Sequence, residues 1–189
     1  TMVGSQSYSA DVIVIGAGVM GMMSALELAE AGLSVFVFDK GRAGQEASWA
    51  GGGIISPLSP WRYAPSITAL ATWSQQAFPD LIASLNESTG IDSELSTEGM
   101  LVTATDEREQ ALAWGVGLSP KVIEISDEEA RVLEPNVQLD ETPLWMPRVS
   151  SVRSSRMGRA LRQACLNHPK IQLLEYREVI LSGDLDSPK

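Results

Sequence analysis

The chain has 189 residues, 44% of them hydrophobic and 20% charged, enough length and apolar content for a full core with room for a second, smaller lobe. Its 14 Lys and Arg stand against 24 Asp and Glu, a formal charge of -10 that repels phosphate backbones and anionic lipid surfaces and argues against nucleic acid as a partner. One cysteine, Cys165, and one histidine, His168, allow no internal disulfide and offer too few soft ligands for a zinc or haem-type centre, so no metal is expected.

The first element is a continuously apolar, β-branched run, Val12-Ile13-Val14-Ile15, the pattern of a strand buried on both faces of a parallel sheet. It leads into Gly16-Ala17-Gly18-Val19-Met20-Gly21, a GxGxxG segment. Between Val19 and Ala31, apolar residues recur at Val19, Met22, Met23, Leu26 and Ala29 with helical spacing. A second apolar strand, Val35 to Phe38, ends at Asp39, 18 residues after Gly21. Strand, glycine turn, helix, strand and acid in this order make a dinucleotide-binding unit. In such a unit Gly16 permits the tight turn, Gly18 lets the backbone approach a pyrophosphate, and Gly21 lets the helix pack close to the strand. The helix N-terminus turns free N–H groups toward the phosphates. Asp39 is placed to bind an adenosine ribose and to repel a 2′-phosphate, which favours FAD or NAD over NADP. No Lys or Arg precedes Lys40, and the stretch from Val12 to Phe38 is broken by glycines, Glu27 and Glu30. Neither an export signal nor a membrane span is expected, and a soluble cytoplasmic protein is.

After Asp39 comes a long stretch rich in small residues, from Lys40 through Gly41, Arg42 and Gln45-Glu46-Ala47-Ser48-Trp49-Ala50-Gly51-Gly52-Gly53-Ile54-Ile55 to Ser56-Pro57. It suits backbone lying against an extended ligand, and its apolar Trp49, Ile54 and Ile55 do not suit a plain linker. Ser66 to Glu87 keeps helical spacing, with Pro79 expected to kink or divide the helix. Met100–Thr105 and Lys121–Ile125 read as strands around a helix from Asp106 to about Trp114. Ser126-Asp127-Glu128-Glu129 offers a capping box for a short helix ending near Pro135. The acids at Asp106–Glu109 and Asp127–Glu129 are expected to complement helix dipoles. A helix from Arg156 to Asn167, with Cys165 as a buried small hydrophobe, precedes a strand Ile171–Leu174, and a turn is expected at Leu181–Asp184.

The GAGVMG turn with Asp39, followed by GQEASWAGGGIISP, resembles the FAD-binding N-terminal half of the D-amino-acid oxidase family, most of all its glycine oxidases of thiamine biosynthesis. The resemblance extends along the chain through Thr97–Thr105 and Val152-Arg153-Ser154-Ser155-Arg156. It implies an α/β fold: a Rossmann-like FAD-binding fold with an inserted α+β substrate lobe, incomplete at the C-terminus. The FAD-binding domain would comprise residues 1–83 and 149–189, with residues 84–148 forming part of the substrate domain. The implied cofactor-binding residues are Gly16, Ala17, Gly18, Val19, Met20, Gly21, Asp39, Lys40, Arg42, Ser48, Trp49, Ala50, Gly52, Gly53, Ile54 and Val179. Of these, the segment Ser48–Gly53 would follow the pyrophosphate and ribityl chain, Ile54 would approach the flavin ring, and the Val179 backbone would meet the adenine. Members that attach FAD covalently near this loop use a histidine there; this loop has none, so non-covalent FAD is implied. The implied activity is oxidation of the C–N bond of a small amine or amino acid by hydride transfer to flavin, with reoxidation by oxygen. The cofactor carries that step, so no catalytic residue is assigned. Arg62 is a candidate substrate-carboxylate contact, its plainer reading a solvent-facing arginine. Two alternatives stand beside the oxidase: a non-catalytic half of a split flavoprotein that needs a complementing C-terminal half or a homo-oligomer, and an amino-acid dehydrogenase subunit. Since family members are about twice as long, the 189 residues alone are expected to be catalytically incomplete.

Overall fold

A computed structural model of the chain describes residues 9–57, 59–116 and 121–180, so the turn expected at Leu181–Asp184 lies outside the described residues. Two units separate. The first takes the chain up to Gly52, Ser84–Ser93, and the chain from Ser154 onward; the second takes Gly53–Ala83 and Glu94–Arg153.

In the first unit, β1 (Val12–Ile15), α1 (Val19–Glu30) and β2 (Val35–Phe38) form the expected βαβ, followed by the single turn α2 (Ala47–Ala50). Helix α6 (Ser154–Asn167) then leads into β8 (Ile171–Leu174). The strands form a parallel sheet in the order β1-β2-β8, with Val12 opposite Val35 and Val35 opposite Ile171. Helices α1 and α6 pack on one another and on this sheet. They bury Met22, Ala25 and Ala29 from one helix and Met157, Ala160, Leu161 and Cys165 from the other, together with Val35 and Val37 of β2. The sheet's second face differs from expectation: Ile13 is 51% exposed and Ile15 55%. The reason lies in the position of β1, an edge strand among the described residues, and in a burial that alternates along it instead of running through.

The second unit is antiparallel. β3 (Ile54–Ile55) pairs with β7 (Ser150–Ser151), and β4 (Met100–Val102), β6 (Leu144–Met146) and β5 (Ile123–Glu124) form a sheet in the order β4-β6-β5. Around them lie a 3-10 turn at Pro60–Arg62, α4 (Arg108–Gly115), α5 (Asp127–Leu133) and most of α3 (Pro65–Thr89). The core gathers Ala111, Val122, Leu144, Met146 and Val149, with Trp61, Met100, Val102 and Trp114 packed against it. The capping box forms as read: the Glu129 N–H donates to Ser126 Oγ, and the Ser126 N–H to Glu129 Oε2. Pro79 does not divide α3, which runs unbroken for 25 residues. Losing one backbone hydrogen bond at proline costs about 3 kcal/mol, and the helix beyond it carries Ile82 and Leu85, both buried. The pairing of β3 with β7 draws residues 53–83 into the second unit, whereas the sequence put the boundaries at 83 and 148.

Candidate functional site

The glycine turn is held by its own neighbours. Gly16 has φ +100, a left-handed conformation that favours glycine, and a Cβ on Gly21 would overlap the Gly16 carbonyl, so the turn admits neither side chain. The Asp39 carboxylate bridges two backbone segments, accepting from the Ala17 N–H at 2.7 Å and the Gly41 N–H at 2.8 Å. Ser48 Oγ accepts from the Val19 N–H at 3.0 Å in the first turn of α1. The N–H groups of Gly18, Met20 and Gly21 have no partner among the described residues. Free donors converging at a helix start, with an acid beside them, suit the phosphates and ribose of a dinucleotide. A Cβ on Gly16 or Gly52 would meet nothing within 4 Å, so open space lies beside the backbone at both, and the residues present fit an extended ligand such as FAD.

The predicted residues divide into groups. Gly16, Ala17, Gly18, Val19, Met20, Gly21, Asp39 and Ser48 are brought together in the first unit. Lys40 forms an exposed ion pair with Glu46 at 3.5 Å. Arg42 and Trp49 line a cleft of about 150 Å³ whose other wall is α6, through Gly158, Arg159, Arg162 and Gln163. Ala50 ends α2, and Val179 follows β8, half-buried. Gly53 and Ile54 fall in the second unit, where the Gly53 carbonyl accepts from the Val152 N–H and Ile54 is half-exposed at the start of β3. Arg62 is already committed: its Nε donates to Glu107 Oε2 at 2.6 Å, and Trp61 Nε1 donates to the same oxygen. Hydrogen bonds from Arg62 and then Trp61 hold the Glu107 carboxyl below the usual carboxylate range. This acid therefore serves a side-chain pair and makes no side-chain cap on α4, while Glu109 of the same cluster lies in the helix's first turn, the position expected for complementing the dipole.

The sequence reading missed Glu175 and Arg162. Arg162 donates through Nε and Nη2 to the two oxygens of Glu175 at 2.8 and 2.6 Å, and the Ala43 N–H donates to Glu175 Oε1 at 2.8 Å. The guanidinium is the main cause holding the Glu175 carboxyl below its usual range. Its local signal is slight, an acid directly after the strand Ile171–Leu174 and an arginine on the preceding helix. Next to it, Tyr176 has φ +56, an uncommon conformation for a bulky side chain. Cys165 is fully buried and burial pushes its thiol up to about 12, so it is a core residue and not a redox thiol. Among the described residues, no group of three or more His, Cys, Asp or Glu could hold a metal ion, and no helix is long and apolar enough to cross a membrane.

Comparison with known proteins places the chain in a family. Glycine oxidase from Pseudomonas aeruginosa is 42% identical over 169 residues, covering 89% of this chain and 46% of that protein. Glycine oxidase from Pseudomonas putida is 40% identical over 175 residues, covering 90% and 47%. The crystal structure of glycine oxidase from Geobacillus kaustophilus superposes with a TM-score of 0.81 at 28% identity, covering 92% of this chain and 48% of that one. The chain thus spans about half the length of the curated relatives it matches. The FAD dependent oxidoreductase (DAO) family model matches residues 11–182, and the chain belongs to that family of FAD-dependent enzymes.

Proposed function

We propose that the first unit holds the ADP half of non-covalent FAD and that the chain is the FAD-binding part of a glycine-oxidase-like enzyme, which oxidises the C–N bond of a small amine or amino acid. The observation that carries this reading is the Asp39 carboxylate bonded to Ala17 and Gly41 beside the N–H groups of Gly18, Met20 and Gly21, which have no partner among the described residues. The names and identities of the two Pseudomonas relatives support the substrate class.

When bound, FAD supplies the hydride acceptor that takes the substrate amine to an imine, with oxygen as the final acceptor. The chain binds and orients. The N–H groups at the start of α1 donate to the pyrophosphate, and Asp39 accepts from a ribose hydroxyl with the lone pairs its backbone donors leave free. Lys40 and Arg42 add positive charge. As the family resemblance implies, Ser48, Trp49, Ala50, Gly52 and Gly53 would line the extended cofactor, Ile54 would approach the flavin ring, and the Val179 backbone would meet the adenine. The second unit is the substrate lobe. Turnover needs more than these 189 residues, supplied by a further segment or a complementing chain. The setting of this reading is the cytoplasm and the oxidation of glycine for thiamine biosynthesis.

The test is titration of the purified chain with FAD, NAD and NADP, followed by flavin absorbance and fluorescence. FAD should bind, colour the protein and be released by acid, and peroxide should form from glycine, sarcosine or D-alanine only with a chain of the relatives' full length. Binding of a nicotinamide nucleotide in preference to FAD would refute the cofactor reading. Peroxide from the 189-residue chain alone would refute the incompleteness.

A further inference from the structure

We propose that Glu175 and Arg162 are positioning residues for the nucleotide, fixing the glycine turn from behind through the loop that follows Asp39; this rests on the FAD reading above.

The bonds form a continuous series within the first unit. Glu175 grips the Ala43 N–H, and the next N–H, that of Gly44, donates to the Ala17 carbonyl at 2.8 Å. The other side of Ala17, its N–H, donates to Asp39. The Asp39 main chain is held too, its N–H donating to the Leu174 carbonyl and its own carbonyl accepting from the Arg177 N–H at 2.8 Å. The Tyr176 N–H donates to the Gly41 carbonyl. The glycine turn, through Ala17, and the segment Asp39–Gly44 are therefore tied back to the turn 175–177 at the end of β8. Two features make that turn a fixed anchor. The Arg162 fork takes both carboxylate oxygens, so the acid cannot rotate away from Ala43. Tyr176 keeps its uncommon φ between two anchored neighbours, Glu175 and Arg177, as expected where the surroundings over-determine a strained residue. The pair contributes little to the core, which is built from Met22, Ala25, Val37 and Leu161. Its loss should fall on the geometry of the turn more than on the fold.

The experiment compares Glu175→Ala, Glu175→Gln, Arg162→Met and the double variant Glu175→Ala/Arg162→Met with Leu161→Val, a core change on the same helix. For each full chain, FAD affinity and the urea midpoint are both measured. Glu175→Ala should weaken FAD by about tenfold, the scale of one charge-assisted hydrogen bond. Glu175→Gln keeps an acceptor for Ala43 and should stay within about threefold of wild type. The double variant should be no weaker than Glu175→Ala alone, because the two residues act as one unit. Leu161→Val should lower the urea midpoint and leave FAD affinity unchanged. Wild-type affinity in Glu175→Ala, or an equal loss of affinity in Leu161→Val, would overturn the positioning role while leaving the FAD reading intact. A wild-type chain that takes up no FAD would overturn both.

Discussion

Replacing Asp39 by alanine tests how the dinucleotide turn is built. A ribose contact alone would make the change cost flavin affinity and nothing else. The structure adds a second cost, because the carboxylate accepts from Ala17 and Gly41 in a part-buried position. Hydrogen bonds to a charged group contribute about 1.5–3 kcal/mol each, and water can partly replace the acid at such a site, so the apoprotein should lose about 2–4 kcal/mol. With a urea slope of about 2 kcal/mol/M, the midpoint should fall by about 1–2 M. The lost ribose bond should weaken FAD by a further tenfold or more, about 1.5–3 kcal/mol on the same scale. The assay pairs urea unfolding of the flavin-free chain, followed by far-UV circular dichroism, with a flavin titration under conditions where both proteins are folded. An unchanged midpoint would refute the bracing role of the carboxylate. A lowered midpoint with unchanged FAD affinity would refute its ribose role and leave Asp39 a purely structural acid.

The glycines give a graded series: Gly21→Ala should abolish flavin uptake by displacing the Gly16 carbonyl, whereas Gly52→Val should fold with near-native stability and lose FAD, since its side chain would enter open space. At Gly99, just before β4 in the second unit, a Cβ would overlap the Trp145 ring; Gly99→Val should misfold the β4-β6-β5 sheet, visible as a lost near-UV signal. For Glu175, faced by Arg162 and Arg42, the lowered carboxyl sets the sign: its stabilisation is fully present above the ordinary glutamate value and lost as pH falls through the folded value. The stability difference between wild type and Glu175→Gln should therefore be constant above about pH 5 and shrink below it; a difference that grows on acidification would contradict the ion pair. Cys165 should resist a thiol reagent at pH 8 and react stoichiometrically in urea, and rapid labelling of the native chain would show that α6 is not packed on α1.

Where local chemistry dictates local structure, the sequence was readable. Val12–Ile15, the spaced glycines and Asp39 announce a βαβ unit because each residue type serves its own backbone position, and Ser126 with Glu129 announces a helix start for the same reason. Strand β6 carries no such announcement. Leu144-Trp145-Met146 lies between Pro143 and Pro147, too short to show alternation, and only its pairing with β4 and β5 makes it a central strand. The Glu175–Arg162 pair was invisible for a similar reason, since its purpose lies in Ala43, 132 residues away. Pro79 does not divide the helix because its local cost is set against burial further along it, which no window around the proline contains. Within the candidate site, the residues to position were legible from the glycine pattern, while the residues that brace them were not.

The short ribbon of β3 and β7 has a consequence for how the chain finds its fold. Glu175 must reach Ala43 across 132 residues, a large loop to close. Ile54 pairs with Ser151, and the Val152 N–H donates to the Gly53 carbonyl at 2.9 Å, so the second unit hands the chain back where it received it. On the near side of that clasp, Ser154 Oγ donates to the Gly51 carbonyl. Once the clasp has formed, the span left to close between Ala43 and Glu175 shrinks to roughly 30 residues, and the closure penalty falls by about 1 kcal/mol. The interruption in the nucleotide fold can thereby act as a folded bridge: in a chain whose clasp has formed, β8 is delivered to the edge of β2 over a short span, whereas without it that edge must be found by closure of a long loop.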